Sequence, residues 1–173
     1  MGDMDFQLLA LRKENKADML FIKNLYYMSR EAEMATVPWS LSDKKLFLKK
    51  QFTLQKKHFD KVYPQAIKQL ILYQGQPIGR LYTVVNEKSK DWHLIDVTLL
   101  PERCGLGVGR YLITQLINKV SSKKAKLTLY VHSRNPAYQL YVDMGFEKIG
   151  DKEGYYHMQN NCLESRALPY LIC

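Results

Sequence analysis

Apolar residues recur along this chain in two different periods, and the switch between them lays out the architecture. "FQLLAL" (Phe6 to Leu11) reads as a first strand. In "NKADMLFIKNLYYMSREAEMA", Met19, Ile22, Leu25 and Tyr26 follow at steps of three and four, the spacing of one helical face. "VPWSLSD" ends that helix at Pro38, and Ser42 or Asp43 is placed to cap a second one whose apolar face is Leu48, Phe52, Phe59 and Val62. After Pro64 the period becomes that of strands. "AIKQLILY" and "GQPIGRLYTVV" flank a turn with two glycines and predict a hairpin, and "WHLIDVTLL" predicts a further strand. The helical period returns between Gly109 and Val120. "KLTLYVH" is then a strand, "NPAYQLYVDMGF" a helix and "GYYHM" a last strand. The order β, α, α, three β, α, β, α, β predicts an α/β fold, a mixed sheet with helices packed on it and a βαβ unit in the second half.

Composition narrows this picture only a little. The 173 residues, 46% of them apolar, suit one domain, with residues 1–160 as the folded part and 161–173 as a tail. No run of about 18 apolar residues predicts a membrane span, and the N-terminus has no pattern of a signal peptide. Cys104, Cys162 and Cys173 are spaced for neither a zinc site nor a disulfide framework, so reduced thiols, no metal and a cytoplasmic location are expected. The net charge of +9 favours anionic ligands. Lysines load the second helix (Lys44, Lys45, Lys49, Lys50, Lys56, Lys57, Lys61). They alternate with Leu48, Phe52 and Phe59 as on an ordinary solvated amphipathic helix, and the motifs of RNA modules are missing. A nucleic-acid partner is the weaker reading.

The chemistry concentrates in "PERCGLGVGR", Pro101 to Arg110, where a strand gives way to a glycine turn and a helix start. Unpaired amides and the positive end of the dipole make such a junction an anion site. A dinucleotide fingerprint would need glycine at Arg110, and a P-loop would need Gly-Lys-Ser/Thr where Gly109-Arg110-Tyr111 stands. The remaining pattern, with Gly107 and Gly109 at its small positions, resembles the acetyl-CoA pyrophosphate loop of the GCN5-related N-acetyltransferase (GNAT) superfamily. "NPAYQLYVDMGF" resembles the second signature of that family, with one residue fewer after the asparagine. The stretches "VPWS", "QFTLQKKHFDKVYP", "GQPIGRLY" and "LIDVTLLPE" look like a bacterial subgroup of small acetyltransferases, so the resemblance runs from about Leu11 to Met158.

The resemblance implies a GNAT fold, a mostly antiparallel central sheet with helices on both faces and a V-shaped splay between strands four and five. It also implies transfer of acetyl from acetyl-CoA to a primary amine in a direct ternary complex. Cys104, Gly105, Leu106, Gly107, Val108, Gly109 and Arg110 would hold the pyrophosphate. Val97, Thr98 and Leu99 would line the pantetheine arm, and Asn135, Ala137 and Tyr138 would also meet the cofactor. The family places arginine or glutamine where Cys104 stands, so Arg103 or Arg110 would have to carry the phosphate charge. Tyr141 matches the tyrosine that protonates the leaving thiolate; by spacing alone it is a core aromatic. Asp96 is either a structural anchor or part of the acceptor site, and His93 and His132 are further candidates for the base. The first two helices and their connection would form the acceptor pocket, with Tyr26, Tyr27, Arg30, Glu31, Glu33, Trp39, Gln51, Gln55 and His58. A CoA-binding regulatory domain is the rival within the fold. Either a monomer or a homodimer fits, with Leu168, Tyr170, Leu171 and Ile172 of the tail as docking residues.

Overall fold

The computed structural model describes residues 4–161. The tail residues Leu168, Tyr170, Leu171 and Ile172, together with Cys162 and Cys173, lie outside this range. The fold is mixed α/β. Seven strands run in the order β1-β2-β3-β4-β5-β7-β6, mostly antiparallel with one parallel pair, β4 (Trp92–Leu99) with β5 (Leu127–His132), and helices flank the sheet. The described residues form two compact units, 4–84 with Ile95–Gly109, and Val85–Leu94 with 110–161.

In the first unit, Asp5 accepts a hydrogen bond from the Gln7 amide at 2.9 Å and turns Phe6–Leu8 into a 3-10 segment. The first strand, β1 (Leu9–Lys13), therefore starts three residues later than the apolar run suggests. It pairs antiparallel with β2 (Ile67–Tyr73), which pairs antiparallel with β3 (Gln76–Val85). Gln74 (φ 51°) and Gly75 (φ 78°) form the two-residue turn between them, the left-handed geometry that matches strand twist. The first predicted helix is broken: a capped 3-10 turn at Lys16–Asp18 leads into α1 (Met19–Ser29), and Arg30 separates this from α2 (Glu31–Ala35). In α3 (Leu41–Val62) the cap is Ser40, not Ser42 or Asp43; its hydroxyl accepts from the Asp43 amide at 3.1 Å. Ile22, Tyr26, Leu48, Phe52 and Leu70 form one buried cluster, joining α1, α3 and β2.

Gly79 of β3 fits against β4 so closely that a Cβ there would lie 2.4 Å from the Thr98 carbonyl oxygen and 2.9 Å from a Leu99 methyl. Its φ is not in the left-handed region, so the demand for glycine comes from space, not from backbone geometry.

In the second unit, the first three residues of β4 pair with β5, and this pairing ends at Leu94↔Leu129. From α4 (Val108–Ser121), Leu112, Ile113, Leu116 and Val120 are buried, as are Leu127, Leu129 and Val131 of β5. After α5 (Ala137–Asp143) come β6 (Glu147–Lys152) and β7 (Tyr155–Asn160), where one strand was expected. The missing strand is β6, an edge strand of mostly exposed residues with no apolar alternation to reveal it. On the other face of β5, the Nδ1 of His93 lies 2.9 Å from the Thr128 hydroxyl, and the ring of Tyr130 sits edge-on to His93 and stacked on His157 at 4.5 Å. Burial, with a smaller contribution from neighbouring His157, lowers the pKa of His93 to about 4.

Two outcomes are expected. Gly79→Ala should destabilise the protein by about 3 kcal/mol in urea unfolding, because backbone cannot yield to the added methyl as a side-chain tip can. A change within experimental error would show that β3 and β4 relax apart. The unfolded chain protonates His93 near pH 6.5 and the folded chain only near 4. The histidine therefore supports folding fully above pH 6.5, and about 3 kcal/mol is lost as the pH falls from 6.5 to 4. His93→Gln should flatten this acid limb, whereas parallel stability curves would assign the limb to other groups.

Candidate active site

The glycine loop is built by the first unit up to Gly109. A 3-10 turn at Pro101–Arg103 ends on the Cys104 amide, which bonds back to the Pro101 carbonyl at 3.1 Å. Gly105 (φ 74°) and Gly107 (φ 80°) are both left-handed, a conformation that strains any residue with a Cβ. A Cβ on Gly107 would lie 3.1 Å from the Phe6 ring. At Gly109, in the first turn of α4, φ is ordinary and nothing lies within 4 Å of a Cβ; the same open space surrounds Gly105. Neither conformation nor packing among the described residues calls for glycine at 109, so the open side of the helix start can receive a ligand. The first amides of α4 lack partners within the helix and carry its positive dipole end. Together these features fit a pyrophosphate.

Cys104 is exposed; burial of its thiol, and secondarily Glu102, raises the pKa, and Sγ lies 3.5 Å from the Leu100 carbonyl. The thiol is therefore held protonated, the opposite of an activated nucleophile. Beside it, the Arg103 guanidinium stacks over the Tyr73 ring at 5.4 Å, and its Nε is buried with no hydrogen-bond partner among the described residues. Leu106 is exposed and Val108 buried at the helix start.

On β4, Val97, Thr98 and Leu99 are half-buried. Asp96 is engaged through one oxygen: its Oδ2 accepts from Arg80 Nε at 2.7 Å and from the Thr98 hydroxyl at 3.0 Å. Arg80 is 3% exposed and also donates to Gln55 at 2.9 Å. Its ring neighbour Tyr82 donates to Glu14. Glu14, Gln55, Arg80 and Tyr82 line a cavity of about 20 Å³, room for about one water. Arg80, Tyr82 and Glu14 escaped the sequence reading; the one available signal was an arginine amid the apolar run "PIGRLY".

Of the expected acceptor residues, Tyr26, Tyr27, Arg30 and Glu33 meet at the end of α1. The two tyrosine rings lie edge-on at 6.4 Å, and Arg30 sits over Tyr26 while pairing with Glu33 at 2.9 Å. Glu31 is exposed and Gln51 half-buried. Gln55 is drawn to Arg80 and His58 lies beside Phe59. Trp39 belongs to another place, a surface groove with Asp43, Leu46, Phe47 and Lys50.

In the second unit, Arg110 pairs with Asp143 at 3.6 Å. Asn135 caps α5 by accepting from the Ala137 amide at 2.9 Å. Tyr138 lies edge-on to Tyr156, and Tyr141 is buried edge-on to Phe146 at 5.6 Å. Gly145 (φ 83°) ends this segment. His132 accepts from the Arg134 amide through Nδ1 and packs on Tyr155. No group of three metal-ligating side chains occurs among the described residues, and no helix there is long and apolar enough to cross a membrane.

A family model described as "Acetyltransferase (GNAT) domain" matches residues 40–157. No curated protein matches the chain. The PaiA N-acetyltransferase of Thermoplasma acidophilum, solved in complex with coenzyme A, superposes with a TM-score of 0.65 at 16% identity, covering 88% of this chain and 98% of that one. The ribosomal-protein-S18-alanine N-acetyltransferase of Escherichia coli gives 0.60 at 16% identity, over 88% and 92%. A chimera of the spermidine N-acetyltransferase SpeG of Vibrio cholerae and hSSAT gives 0.59 at 21% identity, over 88% and 95%. At such identities the likeness speaks for the fold, and the family match carries the assignment: this chain belongs to the GNAT acetyltransferases, acyltransferases that use acetyl-CoA.

Proposed function

We propose that the protein transfers the acetyl group of acetyl-CoA to a primary amine of a small molecule or a peptide, the amine attacking directly in a ternary complex. The observation that carries this reading is the open, left-handed glycine loop running into the start of α4. Backbone amides of Gly105 to Arg110 would hold the pyrophosphate, and Arg103 would add the charge that Cys104 lacks. Bound acetyl-CoA supplies an activated thioester. Val97, Thr98 and Leu99 of β4 would orient its pantetheine arm, and Asn135, Ala137 and Tyr138 would take further contacts. Tyr141 would give its Oη proton to the departing thiolate, a task within reach of a phenol of ordinary pKa about 10.

Asp96 and His93 are less suited to taking a proton from the amine. Asp96 is committed to Arg80 and Thr98. His93, with a pKa of about 4, is a weak base at neutral pH. We assign both to positioning, and proton loss from the amine to water. Tyr27, Arg30 and Glu31 are assigned to the acceptor side. Among solved relatives of the fold, one is named for a ribosomal-protein alanine and one for spermidine, so peptide N-termini and polyamines both belong in an acceptor screen.

Two variants test the reading. Gly109→Glu places a carboxylate in the open space without backbone strain, at a helix end where acidic residues are tolerated. Calorimetric titration with CoA should show affinity reduced at least about tenfold, with the melting temperature unchanged; unaltered affinity would remove the pyrophosphate assignment. Tyr141→Phe should leave CoA affinity intact and lower kcat on any accepted amine by about a hundredfold, within the usual range for a general acid. An unchanged kcat would return Tyr141 to the role of a core aromatic.

A further inference from the structure

The outward face of α3 carries a pattern that acetyl transfer does not use. The helix buries Leu48 and Phe52. At about 100° per residue, Leu46, Lys50, Leu54, Lys57 and Lys61 fall within an arc of roughly 80° on the opposite side. All five are exposed, Leu46 to 52% and Leu54 to 59%. At the N-terminal end of the arc, Trp39 packs edge-on against Phe47 with ring centroids 5.3 Å apart, yet stays 48% exposed. Trp39, Asp43, Leu46, Phe47 and Lys50 line a surface groove of about 290 Å³.

A merely solvated face would carry polar residues where Leu46 and Leu54 stand, and would not gather a tryptophan and a groove beside them. Asp43 is the acidic residue on this arc, against three lysines, and its carboxylate accepts from the Ser40 hydroxyl at 2.6 Å, so the face keeps a positive excess. Among the described residues, Lys50, Lys57 and Lys61 form no ion pair, whereas Asp60 is already shared by Lys56 and Lys68. We propose that this face docks an acidic amphipathic segment of a partner protein. An apolar side chain of the partner enters the groove between Trp39 and Leu46, and carboxylates at helical spacing meet Lys50, Lys57 and Lys61. The interleaving selects this occupant. A nucleic-acid strand would find one exposed indole to stack on and leave both leucines uncovered. A bilayer would have to take up the lysines along with the leucines, since both share one arc. The surface uses none of the glycine-loop residues, so the proposal stands apart from the acetyl-transfer reading, and it moves Trp39 from acceptor wall to partner recognition.

The test is fluorescence anisotropy of the whole protein with a fluorescein-labelled peptide in which glutamates and leucines alternate at helical spacing around one phenylalanine. Saturable binding in the micromolar range is expected, weakened at least about tenfold by Lys50→Glu with Lys57→Glu, and equally by Leu46→Ser. Melting temperature and CoA titration should not move in these variants. Of the two tryptophans, Trp92 is buried, so a blue shift of the intrinsic emission on adding unlabelled peptide would place the contact at Trp39. Three results would overturn the proposal: no saturable binding, equal binding of a peptide with serine at every apolar position, or tighter binding of a single-stranded oligonucleotide or of phosphatidylserine vesicles.

Discussion

The buried guanidinium of Arg80 is the interaction on which the first unit depends. Removing such a charge from water costs several kcal/mol, and it persists only where geometry returns that energy. Here Asp96 faces its Nε, Gln55 of α3 accepts from its Nη2, and the ring of Tyr82 lies at 5.1 Å. Burial works against the charge, yet Asp96 leads the groups that keep the arginine firmly protonated. Burial likewise pushes the Tyr82 phenol far above its ordinary pKa, so it remains a donor to Glu14, just past β1. One cation thus joins β3 to β4, to α3 and, through Tyr82, to the end of β1. This network and the close approach at Gly79 fix the stretch of β4 that carries Val97, Thr98 and Leu99.

The glycine loop shows how conformation and space divide one motif. Gly105 and Gly107 answer to backbone geometry, with φ at 74° and 80°. Gly109 answers to neither geometry nor packing among the described residues, and a bare backbone there suits the close approach of a ligand. The arginine displaced by one position fits the same account. Arg103 is held by stacking on Tyr73, and its orphaned Nε is the kind of buried group that a native structure leaves unpaired only for a reason.

What the sequence made legible follows from how local each signal is. The helix after the loop and the βαβ order were readable because their apolar residues repeat within a few positions. The first strand was misplaced because Asp5 folds Phe6–Leu8 back on a hydrogen bond that apolar periodicity does not register. The strand β6 was missed because an edge exposed along nearly its whole length has no buried face to mark it. For the site, the loop was legible as a motif, but the partner of Asp96 was not. Arg80 lies 16 residues away on the adjacent strand, and residue type gives no register across strands.

The distribution of charge follows from the same commitments. Glu14, Asp18, Glu33, Asp60 and Asp96 are each held by a tyrosine, arginine or lysine of the same unit. Their negative charge is taken up at short range, in the interior at Asp96 and on the surface at Glu33 and Asp60. The excess positive charge of the chain is therefore left to the surface, notably to the lysines of α3. A field of this sign repels a polycation and draws in anions. A cationic amine, the acceptor proposed above, would thus gain little from long-range attraction; it would have to be recognised at close quarters, by shape and hydrogen bonds, or arrive on a molecule whose own negative charge the surface attracts. The acetyl donor, with its phosphates, has the charge that this surface favours.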